Sequence, residues 1–214
     1  YDIVKLMAGS WGTLGLLSEV SFKVLPMPAS QATLVISGID ADVAVDMMIA
    51  SLNTAFDVNG VAYDIAAQRA YVRLEGFEQS VKYRTKSLMN TLSVDRDIAV
   101  LEDDDSAAAW SDIRMLSAIS NQRGDLWKIS VRPTDGPQII QKLGLASGIM
   151  DWSGGLIWAK LDAGKTAREI LCDIPGHAIN LSAKTGLKFS NTNPALSRLQ
   201  GAIREKFDPK GIFN

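Results

Sequence analysis

The sequence is poor in the residues from which most protein-only chemistry is built. Its 214 residues hold one cysteine, Cys172, which excludes an intrachain disulfide framework and every multi-cysteine metal site. They hold one histidine, His177, which excludes paired-histidine metal centres and leaves a single imidazole for acid–base work. No metal site is therefore expected. Neither sign of charge is in excess: 22 Lys and Arg stand against 24 Asp and Glu, so nucleic-acid binding through bulk charge is not expected. Long apolar runs are missing as well. The longest stretch without charge, residues 24–39, falls short of the roughly 20 residues of a spanning helix, and Pro26 and Pro28 break it. No basic-then-apolar leader opens the chain, and its first residue is Tyr1. The expectation is a piece of a longer protein.

What remains is ordinary globular material, 47% hydrophobic and 21% charged, enough for a sizeable core. Residues 2–7 read as a helical turn, followed by Gly9, Gly12 and Gly15 and then an apolar strand over 16–25. The prolines at 26 and 28 make a stiff connector, so a first unit is expected at 1–28. From Gln31 the alternation of Ala32, Leu34 and Ile36 predicts a half-buried strand. Asp40 then offers an N-cap to a helix with Val45, Met48, Ile49, Leu52 and Phe56 on one stripe. Strands over 58–63 and 70–75, a helix bearing Val81, Thr85, Leu88, Met89 and Leu92, and a strand over 94–101 complete β-α-β-β-α-β.

Asp103, Asp104, Asp105 and Ser106 then start a connecting helix to about residue 116, since acidic side chains suit the positive end of a helix. The same order returns: strand 126–132, helix 137–143, strands 147–152 and 156–161 about the turn Ser153-Gly154-Gly155, helix 165–171 and strand 178–182. The class is α+β, with two ferredoxin-like halves (about 31–101 and 125–182) forming an antiparallel sheet covered by helices on one face, within a domain at 29–190. A tail at 191–214 holds a helix capped by Asn193, with Pro194 at its first position and Leu196, Leu199, Ile203 and Phe207 in a stripe. Asp208 and Pro209 stop it.

Both ends carry motifs. Gly9-Ser10-Trp11-Gly12-Thr13-Leu14-Gly15-Leu16-Leu17-Ser18-Glu19-Val20 resembles the last flavin-contacting loop of the vanillyl-alcohol-oxidase type of FAD-linked oxidases, and Phe207-Asp208-Pro209-Lys210-Gly211-Ile212-Phe213-Asn214 resembles that family's closing motif. Tyr71-Val72-Arg73-Leu74-Glu75-Gly76, Leu126-Trp127-Lys128-Ile129-Ser130, Met150-Asp151-Trp152-Ser153-Gly154-Gly155 and Gly176-His177-Ala178 are similar to the flavin-binding accessory (E-type) subunits of glycolate oxidases. The resemblance implies a remnant of an FAD-binding domain at 1–28, a substrate or cap domain, and a tail returning to the FAD domain. It also implies oxidation of glycolate to glyoxylate, with electrons passing through flavin to an iron–sulfur partner. The implied partners are a catalytic D-type flavin subunit and an iron–sulfur F-type subunit. FAD is expected in the intact protein, contacted by Trp11, Gly12, Thr13, Leu14, Gly15, Leu16, Leu17 and Asn214, and expected to be absent from these residues alone. The expected location is cytoplasmic or, through partner subunits, peripheral to the inner membrane.

D-lactate-type relatives carry an S-G-E-H-G-I-G run, whereas residues 175–182 keep His177 without the neighbouring glutamate. His177 thus reads either as a proton carrier beside flavin or as a histidine satisfied at a strand entry. Lys128 and Arg132 share a strand face with Ser130 and offer a clamp for a small carboxylate, or else a solvated face. Arg73 and Glu75 offer a pair across the sheet. Trp127, Trp152 and Trp158 read as core or as a subunit contact, and Cys172 as a small buried hydrophobe. Two further functional readings stand beside the first: a non-catalytic module docking the catalytic and iron–sulfur subunits, and a D-lactate-type 2-hydroxy-acid dehydrogenase.

Overall fold

In a computed structural model of the chain, the described residues are 2–92, 97–162, 164–171, 174–182 and 194–213. They divide into two compact units, one of Tyr1–Pro26 with Asn191–Asn214, the other Met27–Ser190. The smaller unit opens with α1 (Ile3–Met7), whose first turn is capped where Asp2 accepts the Lys5 amide at 3.2 Å.

The larger unit runs β1 (Ser30–Ser37), α2 (Ala41–Leu52), β2 (Gly60–Asp64), β3 (Arg69–Gly76), α3 (Glu78–Leu92) and β4 (Ile98–Glu102). After α4 (Asp103–Arg114) and α5 (Ser117–Ser120) come β5 (Asp125–Val131), α6 (Gly136–Leu143), β6 (Ile149–Asp151), β7 (Leu156–Leu161), α7 (Ala167–Ile170) and β8 (Gly176–Asn180). The smaller unit also holds α8 (Pro194–Phe207). The eight strands form one sheet in the order β4-β1-β3-β2-β6-β7-β5-β8. Every ladder is antiparallel, so the expected α+β class with an antiparallel sheet is what the chain adopts. The two sets of four strands meet where Tyr63 of β2 pairs with Met150 of β6.

Strand alternation decides what the core contains. On one face Leu34, Ile36, Val61, Val72, Leu74, Ile129 and Ile157 pack under Val45, Met48, Leu88 and Ile139 of α2, α3 and α6. Asp40 does cap α2, accepting the Val43 amide at 2.9 Å. The helix ends at Leu52, so Phe56 lies beyond it, and Leu52 is exposed while Ala44, Met47 and Ser51 are buried. Tyr63 is buried in this core. Its hydroxyl donates to the Ile39 carbonyl at 2.8 Å, and burial with the charges of Asp40 and Asp64 pushes its pKa up to about 12.

Two expectations need correction. Helices do not occupy one face alone: buried Thr33, which alternates with Leu34 along β1, meets Ser106 and Trp110 of α4, so α4 lies on the opposite face. The acidic run begins α4 as expected, and Asp103 in addition ties the helix start to β1, accepting from Ser30 Oγ at 2.9 Å and the Gln31 amide at 3.1 Å. These bonds hold its pKa below the usual carboxylate range. Residues 16–25 form no strand among the described residues. They have no ladder partner there and leave Leu16, Phe22 and Val24 exposed, because apolar alternation makes a strand only where a second strand accepts its hydrogen bonds. The start of the predicted 94–101 strand, Cys172, and the Asn193 cap lie outside the described residues.

Candidate functional site

The face opposite α2, α3 and α6 carries the polar residues of the strands. In β5, Trp127 and Ile129 are buried while Lys128 and Ser130 point to the other face. Lys128 pairs across the ladder with Trp158, and its ammonium stands 5.6 Å from the Trp158 ring centroid and 5.9 Å from that of Trp152. Ser130 pairs with His177 of β8, which is exposed. Arg132 lies past the end of β5, where its Nε and Nη2 donate to both carboxylate oxygens of Asp135 at 2.8 and 3.2 Å. Arg73 and Glu75 do pair, at 3.5 Å, but along β3 rather than between strands.

Trp152 is held outward by backbone strain. It and Ser153 both adopt left-handed conformations, φ 51° and 57°, a costly pair for residues with a Cβ. Asp151 accepts the Trp152 amide at 2.7 Å, and Gly154 (φ 99°) fits so tightly that a Cβ there would lie 2.7 Å from the Pro133 carbonyl. The result is an indole 61% exposed above the sheet. Burial raises the pKa of the Asp151 carboxyl, against the backbone hydrogen bond and the nearby charge of Arg73.

Beside Trp152 is a cleft of about 470 Å³, also bordered by Gly60, Arg73, Trp110, Arg114 and Asp151. Sequence reasoning noticed Arg73 but missed its setting. The guanidinium lies 4.6 Å from the Trp110 ring centroid, its Nε donates to Asn59 Oδ1 at 3.3 Å, and Asn59 Nδ2 donates to Glu75 at 2.7 Å. Trp110 is itself anchored, Nε1 donating to Thr33 Oγ1 at 2.9 Å. Gly60, the ladder partner of Arg73, leaves room for both: a Cβ there would come within 3.1 Å of Trp110 and 3.2 Å of Arg73 Nε. The alternation of Tyr71, Arg73 and Glu75 was the available signal. Their partners in β2 and α4 were not.

In the smaller unit, Gly9 and Gly12 take φ values of 82° and 74°, and open space lies where either Cβ would stand. Between them Trp11 is also left-handed, φ 54°, and more than half exposed, as are Leu16 and Leu17. The Thr13 hydroxyl donates to the Ser10 carbonyl at 2.7 Å, closing the loop on itself. An accessible glycine backbone flanked by exposed apolar groups fits one edge of a flavin cofactor rather than an enclosing site. The closing motif has a structural role that the sequence reading passed over. Asp208 accepts the Ile212 and Phe213 amides at 2.9 and 2.7 Å, which draws its pKa below the usual range. Asn214 lies outside the described residues.

Among the described residues no three His, Cys, Asp or Glu side chains gather as a metal site, and no helix is long and apolar enough to cross a membrane. No protein-family model matches the chain. The chain is 30% identical over 216 aligned residues to glycolate oxidase subunit GlcE of Escherichia coli (strain K12), covering 100% of this chain and 56% of that protein. It thus spans little more than half the length of the curated relative it matches. The resemblance carried by the terminal and internal motifs is one that extends over the whole chain, to a subunit of glycolate oxidase.

Proposed function

We propose that these residues are part of an FAD-linked oxidoreductase subunit that acts on a small 2-hydroxy acid, as in oxidation of glycolate to glyoxylate, and passes electrons to an iron–sulfur partner. The observation that carries this reading is the match along all of the chain to a glycolate oxidase subunit. The Met27–Ser190 unit serves as the substrate domain, each set of four strands being a ferredoxin-like half. Tyr1–Pro26 and Asn191–Asn214 serve as part of the flavin-binding domain, with Trp11–Leu17 and Asn214 as its contacts. When bound, flavin supplies the acceptor for the two electrons leaving the substrate carbon.

The chain's own residues bind and orient. The sheet face bearing Lys128, Trp152 and Trp158 borders the substrate, and the exposed indole of Trp152 excludes water from one side. Of the two cations read as a clamp, Lys128 faces this region and Arg132 is engaged by Asp135. His177 sits on the same face, opposite Ser130, where it can hold or release a proton.

The test is the full-length protein, purified with and without its partner subunits. A flavin absorbance band bleached by glycolate is the expected result, and a colourless preparation that FAD does not reconstitute overturns the reading. A docking module without substrate chemistry is the second reading, favoured by the absence of a glutamate beside His177. It predicts capture of both partner subunits with no bleaching by glycolate.

A further inference from the structure

We infer that the cleft between Arg73 and Asp151 is a two-point subsite for a short 2-hydroxy carboxylate, Arg73 taking the carboxylate and Asp151 the hydroxyl. This rests on the substrate class proposed above and names the residues that recognise it.

Arg73 is held so that one nitrogen of its guanidinium stays open. The Trp110 ring lies 4.6 Å from its Cζ, Nε donates to Asn59 and Nη1 stands 3.5 Å from the Glu75 carboxylate, so the guanidinium is held before any ligand arrives. Among the described residues Nη2 donates to no protein atom, and Arg73 borders the cleft. A carboxylate oxygen can accept from that nitrogen in a charge-assisted hydrogen bond. Gly60 keeps the cleft open at its base, since any side chain there would press on Arg73 and Trp110 together. Asp151 stands on the other side of β2, paired with Ala62, and spends Oδ1 on the Trp152 amide. Its second oxygen is an acceptor, which suits a hydroxyl donor and repels a phosphate or sulfate dianion. Lys128 lies beyond Trp152, so it adds favourable field rather than a contact to a ligand this short.

The probe is 2-hydroxy-2-methylpropanoate, a hydroxy acid with no hydrogen on the hydroxyl-bearing carbon, so that binding is read without turnover. Its hydroxyl-free counterpart is 2-methylpropanoate, and inorganic phosphate is the third probe. In calorimetry on the full-length protein the hydroxy acid should bind about tenfold tighter than the plain acid, and phosphate should not compete. Arg73→Gln should weaken both acids at least tenfold, Arg73→Lys should weaken them less, and Asp151→Ala should erase the preference for the hydroxyl. The lysine variant keeps a cation over Trp110 and guards against loss of fold, which the melting temperature reports. Equal affinity in Arg73→Gln and wild type overturns the subsite, whatever the flavin does. Bleaching by glycolate is measured separately: Arg73-dependent binding without bleaching sustains the subsite and overturns the redox reading.

Discussion

Trp110 of α4 lies against the guanidinium of Arg73 on β3, 4.6 Å from ring centroid to Cζ, and neither residue is free to drift. The indole Nε1 is tied to Thr33 Oγ1 at 2.9 Å, and the same hydroxyl meets Ser106 Oγ at 2.7 Å. Thr33 and Ser106 are fully buried, so one hydroxyl holds a helix, an indole and, through the indole, an arginine.

Thr33→Val keeps the shape and removes that hydroxyl. It takes the acceptor from Trp110 Nε1 and leaves the Ser106 hydroxyl buried without its partner, the latter at a cost of about 1–3 kcal/mol. At roughly 2–4 °C per kcal/mol for a chain of this size, the melting temperature should fall by several degrees. Adding Ser106→Ala removes the orphaned group and should restore part of the loss. A double variant no more stable than the single one would show that the hydroxyl pair is not the source of the effect.

Much of this region was legible before the fold was known. Alternation placed Leu34 and Ile36 on one face of β1, and Asp40 signalled the start of α2, because both signals are local. Partnership between strands is not local. Nothing near residues 16–25 reveals whether a second strand is there to accept their hydrogen bonds, and the predicted strand is unpaired among the described residues. For the same reason Arg73 was visible as an outward charge, whereas its fit with Gly60 and Trp110 depends on the β2–β3 register and on the face that α4 chooses. Arg132 was misleading in another way. Its alternation with Lys128 is real, but the strand ends at Val131, and a carboxylate three residues on takes the guanidinium.

Lys128 and Arg132 are therefore expected to behave differently. Lys128→Ala withdraws a cation that faces two indoles, and affinity of the full-length protein for a small hydroxy acid should fall about two- to fivefold. Arg132→Ala should leave that affinity within error, since its charge is matched by Asp135 at the surface. The comparison is made by calorimetry at low and high salt. A larger loss in Arg132→Ala than in Lys128→Ala would reverse this assignment.

Asp151 and Asp208 depend on pH with opposite signs. Burial raises the folded pKa of Asp151, so its contribution to stability is full below the unfolded carboxylate value near 4 and is lost as pH rises through the folded value. Asp151→Asn keeps an acceptor for the Trp152 amide and never ionises. It should melt above wild type at pH 7, with the gap closing below about pH 4. A constant gap between pH 3 and pH 7 would mean that the ionised carboxylate carries no penalty.

For Asp208 the hydrogen bonds reverse the order. Two backbone amides, those of Ile212 and Phe213, point at its carboxylate and favour the charged form, so the folded pKa lies below the unfolded one. Its stabilisation is then full above about pH 4 and is lost as pH falls through the folded value. The effect belongs to the turn after α8, so the informative measurement is local. Hydrogen exchange at the Ile212 and Phe213 amides should be faster in Asp208→Asn than in wild type at pH 6, because the amide side chain offers one oxygen where two are used. That difference should shrink as the wild-type carboxylate is protonated below about pH 4. Equal protection of both amides in the two proteins at pH 6 would separate the closing motif from the turn after α8, and would leave the Asp208 carboxylate to be explained by something other than backbone capping.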